Sequence, residues 1–244
     1  MSRGRDSTLP VIRKITDVVH VPPPLPPFAN RAERARQLDA LHHEMRACAR
    51  CVAAGYLGAA NGVAGFRGNV GDRLMIVGQA PGHLSVERGE PFSGPSGRVL
   101  DGWLQRAGFA PGALRREVYL SAMTKCDPGK HSKGNGDRKP SPPELALCRP
   151  FLLRELELVR PRAIMLVGGM AIEAFLGPSK LDEIVGTAAD RNGVHLLALP
   201  HPSGVSRWLN EPAHQTLVAR ALELLAGWRR DWERDERING GTHG

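Results

Sequence analysis

The chain has 244 residues, 41% apolar and 24% charged, the balance of a globular protein that can bury a sizeable core as one large domain or two small ones. Its 33 Lys and Arg against 25 Asp and Glu give a net charge of +8. An arginine-rich composition alone yields such an excess, and a basic surface also favours polyanions, nucleic acid foremost. The longest nearly apolar run, residues 163–172, falls well short of the roughly 20 residues of a membrane-spanning helix. No apolar signal stretch follows the basic N-terminus, so a cytoplasmic location without a membrane partner is expected.

Residues 1–30 read as a flexible arm containing the polyproline stretch VPPPLPPF (residues 21–28). Residues 31–47 predict a helix running into a C-x-x-C pair, and residues 55–71 a Gly-rich loop. LMIV (74–77) predicts a buried strand ending in the turn GQAPGH (78–83). Residues 96–107 predict an amphipathic helix with Leu100, Trp103 and Leu104 on one face. A second strand starts at 118–120, and residues 129–143 form a basic, breaker-rich loop. A helix over 144–159, a strand over 163–167 and a helix over 170–176 follow. VHLLAL (194–199) is the fourth strand, stopped by Pro200 and the turn HPSG (201–204). Residues 212–228 predict the last helix, and 230–244 a charged, Gly-rich tail. The main domain would span residues 31–229.

Short apolar strands alternating with helices imply a parallel, doubly wound α/β sheet. Ligands of such sheets bind at the carboxyl ends of the strands, where GQAPGH and HPSG fall. Phe92, in the rigid loop EPFSGPSG, suits stacking on a planar ligand, or plugs the core. His201 can donate to charge on a leaving group, or is structural. Arg207 and Trp208 offer a cation and an aromatic wedge for a duplex, unless Trp208 merely covers the last helix.

Four cysteines, Cys48, Cys51, Cys126 and Cys148, suggest a metal site more than disulfides in a reducing compartment. Four thiolates suit zinc or a [4Fe–4S] cluster. The alternative is one redox pair plus two buried thiols.

Taken together, MIVGQAPG, GEPFSGPSGRVLD, VYLSAMTKC and LPHPSG, with the cysteine pattern, resemble the uracil-DNA glycosylase superfamily, and most closely its iron–sulfur branch, family 4, over residues 48–225. The resemblance implies a three-layer α/β/α sandwich around a four-stranded parallel sheet. It implies a [4Fe–4S] cluster on Cys48, Cys51, Cys126 and Cys148, and a monomer acting on DNA that contains deaminated or damaged bases. Base-excision repair by a monofunctional glycosylase follows, with uracil flipped out, stacked on Phe92 and cut from its deoxyribose while His201 steadies the departing base. Gln79 and the backbone from Gly78 through His83 would hold water, Gly78 and Ala80 would border the base, and Ser121 and Ala122 would meet the base edge. Ser203, Gly204, Arg207 and Trp208 would enter the minor groove, with Lys130 and Lys133 on phosphates.

Two departures stand out. The branch reads G-E-x-P-G where this chain has Gln79, and an amide cannot accept a proton from water. It carries Asn, which reads the uracil edge, where this chain has Ala122; Ser121 would substitute in part. Three outcomes follow: excision of another damaged base, slow excision of uracil with Glu87, Glu90 or a phosphate assisting water, or DNA binding and damage sensing without catalysis. A related subgroup joins covalently to DNA through a His in a basic insertion; His131 lies hereabouts, without that subgroup's motif.

Overall fold

The computed structural model describes residues 18–25, 30–58, 61–131, 136–203 and 207–240, with residues 239 and 240 by backbone alone. The elements in chain order are α1 (Arg31–Arg46), α2 (Arg50–Ala53), β1 (Phe66–Arg67), β2 (Leu74–Gly78), α3 (His83–Arg88), α4 (Pro95–Arg106), α5 (Ala113–Arg116), β3 (Val118–Ala122), α6 (Pro142–Val159), β4 (Ala163–Val167), α7 (Gly169–Leu176), α8 (Leu181–Ile184), β5 (Ala188–Arg191), β6 (Val194–Leu199) and α9 (Pro212–Gly240). A 3₁₀ turn at Arg207–Asn210 precedes α9.

The sheet runs β1-β3-β2-β4-β6-β5. Its central strands β3, β2, β4 and β6 are parallel, while β1 and β5 pair antiparallel at the two edges. The sheet expected with four strands therefore has six among the described residues and is mixed. Strand side chains alternate between faces, and the alternation sorts two cores. Met75, Val77, Ile164 and Leu166 pack under α1, α6 and α7. Leu74, Ile76, Met165 and Val167 pack under α4, α5 and α9. Full burial of β2, β3 and β4 explains why they read as continuous apolar runs.

Two terminal expectations change. Over residues 18–25 the chain lies against the body: Val19 and Val21 are buried, and the Val19 N–H donates to the Ala174 carbonyl at 2.9 Å. Asn192 and Arg160 donate to the Val21 and Pro23 carbonyls at 2.9 and 3.0 Å. At the other end α9 extends to Gly240, into the predicted tail, of which residues 241–244 lie outside the described residues. Trp232 is buried in the core, and Asp235 and Glu236 pair with Arg162 and Arg73. No helix among the described residues is long and apolar enough to cross a membrane.

Candidate active site

A cavity of about 240 Å³ opens at the carboxyl ends of β2, β3 and β6, lined by Ala80, Pro81, Phe92, Ala122, Asp137 and His201 among others. It is smaller than the roughly 300–1,000 Å³ of pockets for drug-sized ligands, which suits a single planar base. The turns after β2 and β6 thus meet at one slot, as the strand-end rule requires.

Phe92 is held in a left-handed backbone conformation, φ 54°, which costs a bulky residue on the order of 1–3 kcal/mol. Its surroundings impose it. Arg115 donates to the Pro91 and Phe92 carbonyls at 2.5 and 3.0 Å, Ser93 Oγ donates to the Glu90 carbonyl at 2.8 Å, and Arg88 donates to the Ser93 carbonyl at 3.0 Å. Gly97 permits the fold-back, because a Cβ there would lie 1.8 Å from the Phe92 carbonyl oxygen; Gly78 permits the ring, because a Cβ would lie 2.8 Å from Phe92 Cζ. The glycines of GQAPG and PFSGPSG therefore seat the aromatic ring at the slot wall.

His201 packs over Gly168, whose φ is +88°. Burial lowers its pKa, against an opposing pull from Asp137, so the ring is neutral at pH 7. The Ser203 N–H donates to Nδ1 at 3.3 Å, leaving the ring proton on Nε2 as a donor.

Ala122 lines the slot, and its neighbour Ser121 does not. Ser121 is fully buried; its Oγ donates to Glu155 Oε2 at 2.8 Å and accepts from Lys125 Nζ at 2.8 Å. The expected stand-in for a base-reading amide is thus consumed by a buried network. Gln79 also stays off the lining; its carbonyl accepts from the Thr124 N–H at 3.2 Å. Gly78 lies under the Phe92 ring. Glu90 is tied to Arg67 and Arg115 and Glu87 to His83, and neither lines the slot.

Of the residues expected at DNA, Lys133 and Gly204 lie outside the described residues. Ser203 follows His201 at the slot, and Arg207 is exposed. Lys130 reaches the slot mouth, paired with Asp137. Trp208 is not a projecting wedge. It stacks on His214 with ring centroids 4.0 Å apart and 2° between planes, and its Nε1 donates to Asp182. His131 is exposed and does not line the slot.

Sequence reasoning missed Asp137 and the Lys125–Glu155 pair. Lys125 Nζ lies 2.6 Å from Glu155 Oε2 with both side chains buried, and donates to the Ala122 carbonyl at 2.6 Å. Nothing local marks such a pair.

The four cysteines do converge: Cys48, Cys51, Cys126 and Cys148 line one small cavity with Arg50, Leu147 and Phe151. Burial and then the neighbouring thiols push Cys126 up to about 12. The Lys125 N–H donates to Cys148 Sγ at 3.2 Å. Among the described residues no group of three or more His, Cys, Asp or Glu side chains is arranged to hold a single metal ion.

The family model of the uracil DNA glycosylase superfamily matches residues 66–226. A type-4 uracil-DNA glycosylase of Pyrobaculum aerophilum is 30% identical over 205 residues, covering 78% of this chain and 93% of that protein. A type-4 uracil-DNA glycosylase of Thermotoga maritima is 29% identical over 177 residues, covering 71% of this chain and 85% of that protein. A type-5 uracil-DNA glycosylase of Pyrobaculum aerophilum is 31% identical over 150 residues, covering 56% and 63%. With the slot, its aromatic wall and its imidazole donor inside the matched segment, the chain belongs to the uracil-DNA glycosylase superfamily.

Proposed function

We propose that the protein is a base-excision repair glycosylase that flips uracil or another deaminated base out of DNA and hydrolyses its N-glycosidic bond. The observation that carries this is the slot itself: Phe92 and His201, far apart in sequence, line one base-sized cavity. Phe92 stacks the flipped base. Cleavage of the C–N bond leaves negative charge on the base, and the Nε2–H of His201 stabilises it most in the transition state. Lys130 and Arg207, both exposed, contact the DNA backbone, so affinity falls as salt rises.

The four cysteines hold a [4Fe–4S] cluster in this reading, supported by their shared cavity and by the type-4 relatives. Bound there, the cluster would tie α2 and the stretch after β3 to α6 rather than supply chemistry on the base. Iron and acid-labile sulfide in the purified protein test this; zinc in their place would refute it.

The activity test is strand cleavage at abasic sites in duplexes carrying uracil, hypoxanthine or xanthine. His201→Ala should lower the excision rate by about 10²–10³, the usual cost of one such donor, with DNA affinity kept. One observation favours a second reading, DNA binding without catalysis: Ala122 gives the base edge no side-chain hydrogen bond. Binding with no abasic product from any duplex would select it.

A further inference from the structure

The slot has a carboxylate that none of the strand-end motifs supplies. Asp137 lines it together with Phe92, Ala122 and His201, and among the described lining residues it is the acidic one. The residue comes from the basic loop before α6. It reaches over the β2 turn, where a Cβ added at Gly82 would lie 2.9 Å from Asp137 Oδ2. Oδ1 takes the Lys130 ammonium, which leaves Oδ2 as the oxygen toward the turn.

The placement is anchored from several sides. Residues 130 and 137 form an antiparallel bridge, and the Arg138 N–H donates to the Gly129 carbonyl at 2.9 Å and the His131 N–H to the Gly136 carbonyl at 3.0 Å. The Arg138 guanidinium grips both oxygens of Glu144, at 2.6 and 2.7 Å. Glu144 also accepts from the Ser141 N–H at 2.7 Å in the capping box of α6. These contacts hold the Glu144 carboxyl at about 2, Arg138 foremost. A fork of this kind fixes direction as well as distance, so the loop presents Asp137 from a rigid base.

The geometry points to Asp137 as a catalytic carboxylate of this enzyme, accepting the water proton that the Gln79 amide cannot. The inference rests on the glycosylase reading above. In the step, the bond from C1′ of the sugar to the base nitrogen breaks, and its electron pair leaves with the base, stabilised by the His201 Nε2–H. Water oxygen bonds to C1′. One water proton passes to the Asp137 carboxylate and on to solvent, and the departing base takes a proton from solvent. The same carboxylate faces the cationic sugar as it forms, which an amide would not stabilise. Lys130 tempers that charge and places it, so the pair acts on sugar and water while His201 acts on the base.

Single-turnover excision by the intact protein tests this with Asp137→Asn, close in shape, and Asp137→Ala. Each should lose about 10²-fold or more in rate, the low end for a general base, with duplex affinity and thermal midpoint near wild type. Added formate, a small carboxylate, should restore Asp137→Ala at least tenfold and leave Asp137→Asn unchanged. Rates for both variants within threefold of wild type would overturn the inference. So would an equal loss in both that formate does not relieve, since that assigns Asp137 only the ion pair with Lys130. A wild-type protein that releases no base overturns the glycosylase reading as well; an active wild type with unimpaired variants overturns this inference alone.

Discussion

Removing the Glu155 carboxylate should unbalance the most buried charge among the described residues. Glu155 is 0% exposed and Lys125 1%. The carboxylate accepts from Lys125 Nζ at 2.6 Å, Ser121 Oγ at 2.8 Å and Tyr119 OH at 3.0 Å. Burial pushes its pKa up and the Lys125 ammonium opposes that shift. With donors on both oxygens, the ionised form is the one this network accommodates. Glu155→Leu strands the ammonium with the Ala122 carbonyl and the Ser121 hydroxyl as partners. Breaking a buried pair from one side costs about 3–5 kcal/mol. At about 2–4 °C per kcal/mol for a chain of this size, the thermal midpoint should fall by about 6–20 °C. Removing both charges, as in Glu155→Leu with Lys125→Met, deletes the desolvation penalty along with the attraction, so the double variant should be more stable than either single one. Thermal melts of the four proteins, with iron content checked in each, decide it. A single-variant loss below about 1 kcal/mol, or a double variant losing the sum of the singles, would refute the reasoning.

Gly97→Ala should displace the Phe92 loop, because its Cβ meets backbone at 1.8 Å; a cost of about 1–3 kcal/mol and a fall in excision are expected. Gly102→Ala on the same helix meets nothing within 4 Å and should stabilise by up to about 1 kcal/mol. Comparing the two melts checks both. At Gly78 the atoms nearest an added Cβ are those at the tip of the Phe92 ring, so Gly78→Ala should narrow the slot and slow excision more than it lowers the melting point. His42 is 7% exposed, and its Nε2 lies 2.9 Å from Tyr119 OH. Burial holds its pKa at about 4 against 6.5. The unfolded chain binds a proton between those values that the native state refuses, so this stability is complete above pH 6.5 and is lost as pH falls toward 4, by about 3 kcal/mol in all. Asp72, raised by burial to about 6, has the opposite slope, stabilising most at low pH. The readout is therefore wild type minus His42→Gln across pH 4–7 by urea unfolding; parallel curves would contradict the assignment.

What was legible from the sequence was what periodicity and turn chemistry encode locally. The strands β2, β4 and β6 are apolar runs because both their faces are covered, and their ends name the slot. The edge strands gave no such signal. Phe66–Arg67 is two residues long, and Ala188–Arg191 has no fully buried residue, as short, polar edges tend to be. The misplaced residues share a different cause. Trp208 reads as an exposed wedge until Asp182 and His214 are beside it. Ser121 reads as a base contact until Glu155, 34 positions away, accepts its hydroxyl hydrogen bond. Asp137 hides in a loop that reads as basic and breaker-rich, and the bridge to Lys130, the Arg138–Glu144 fork and the turn at Gly82 aim it at the slot. In each case the role depends on which polar partner a side chain finds across the fold, a pairing that leaves no period in the sequence. The family pattern would therefore put a carboxylate in the β2 turn, where this chain has Gln79, whereas the acid at this slot is Asp137 from the loop before α6.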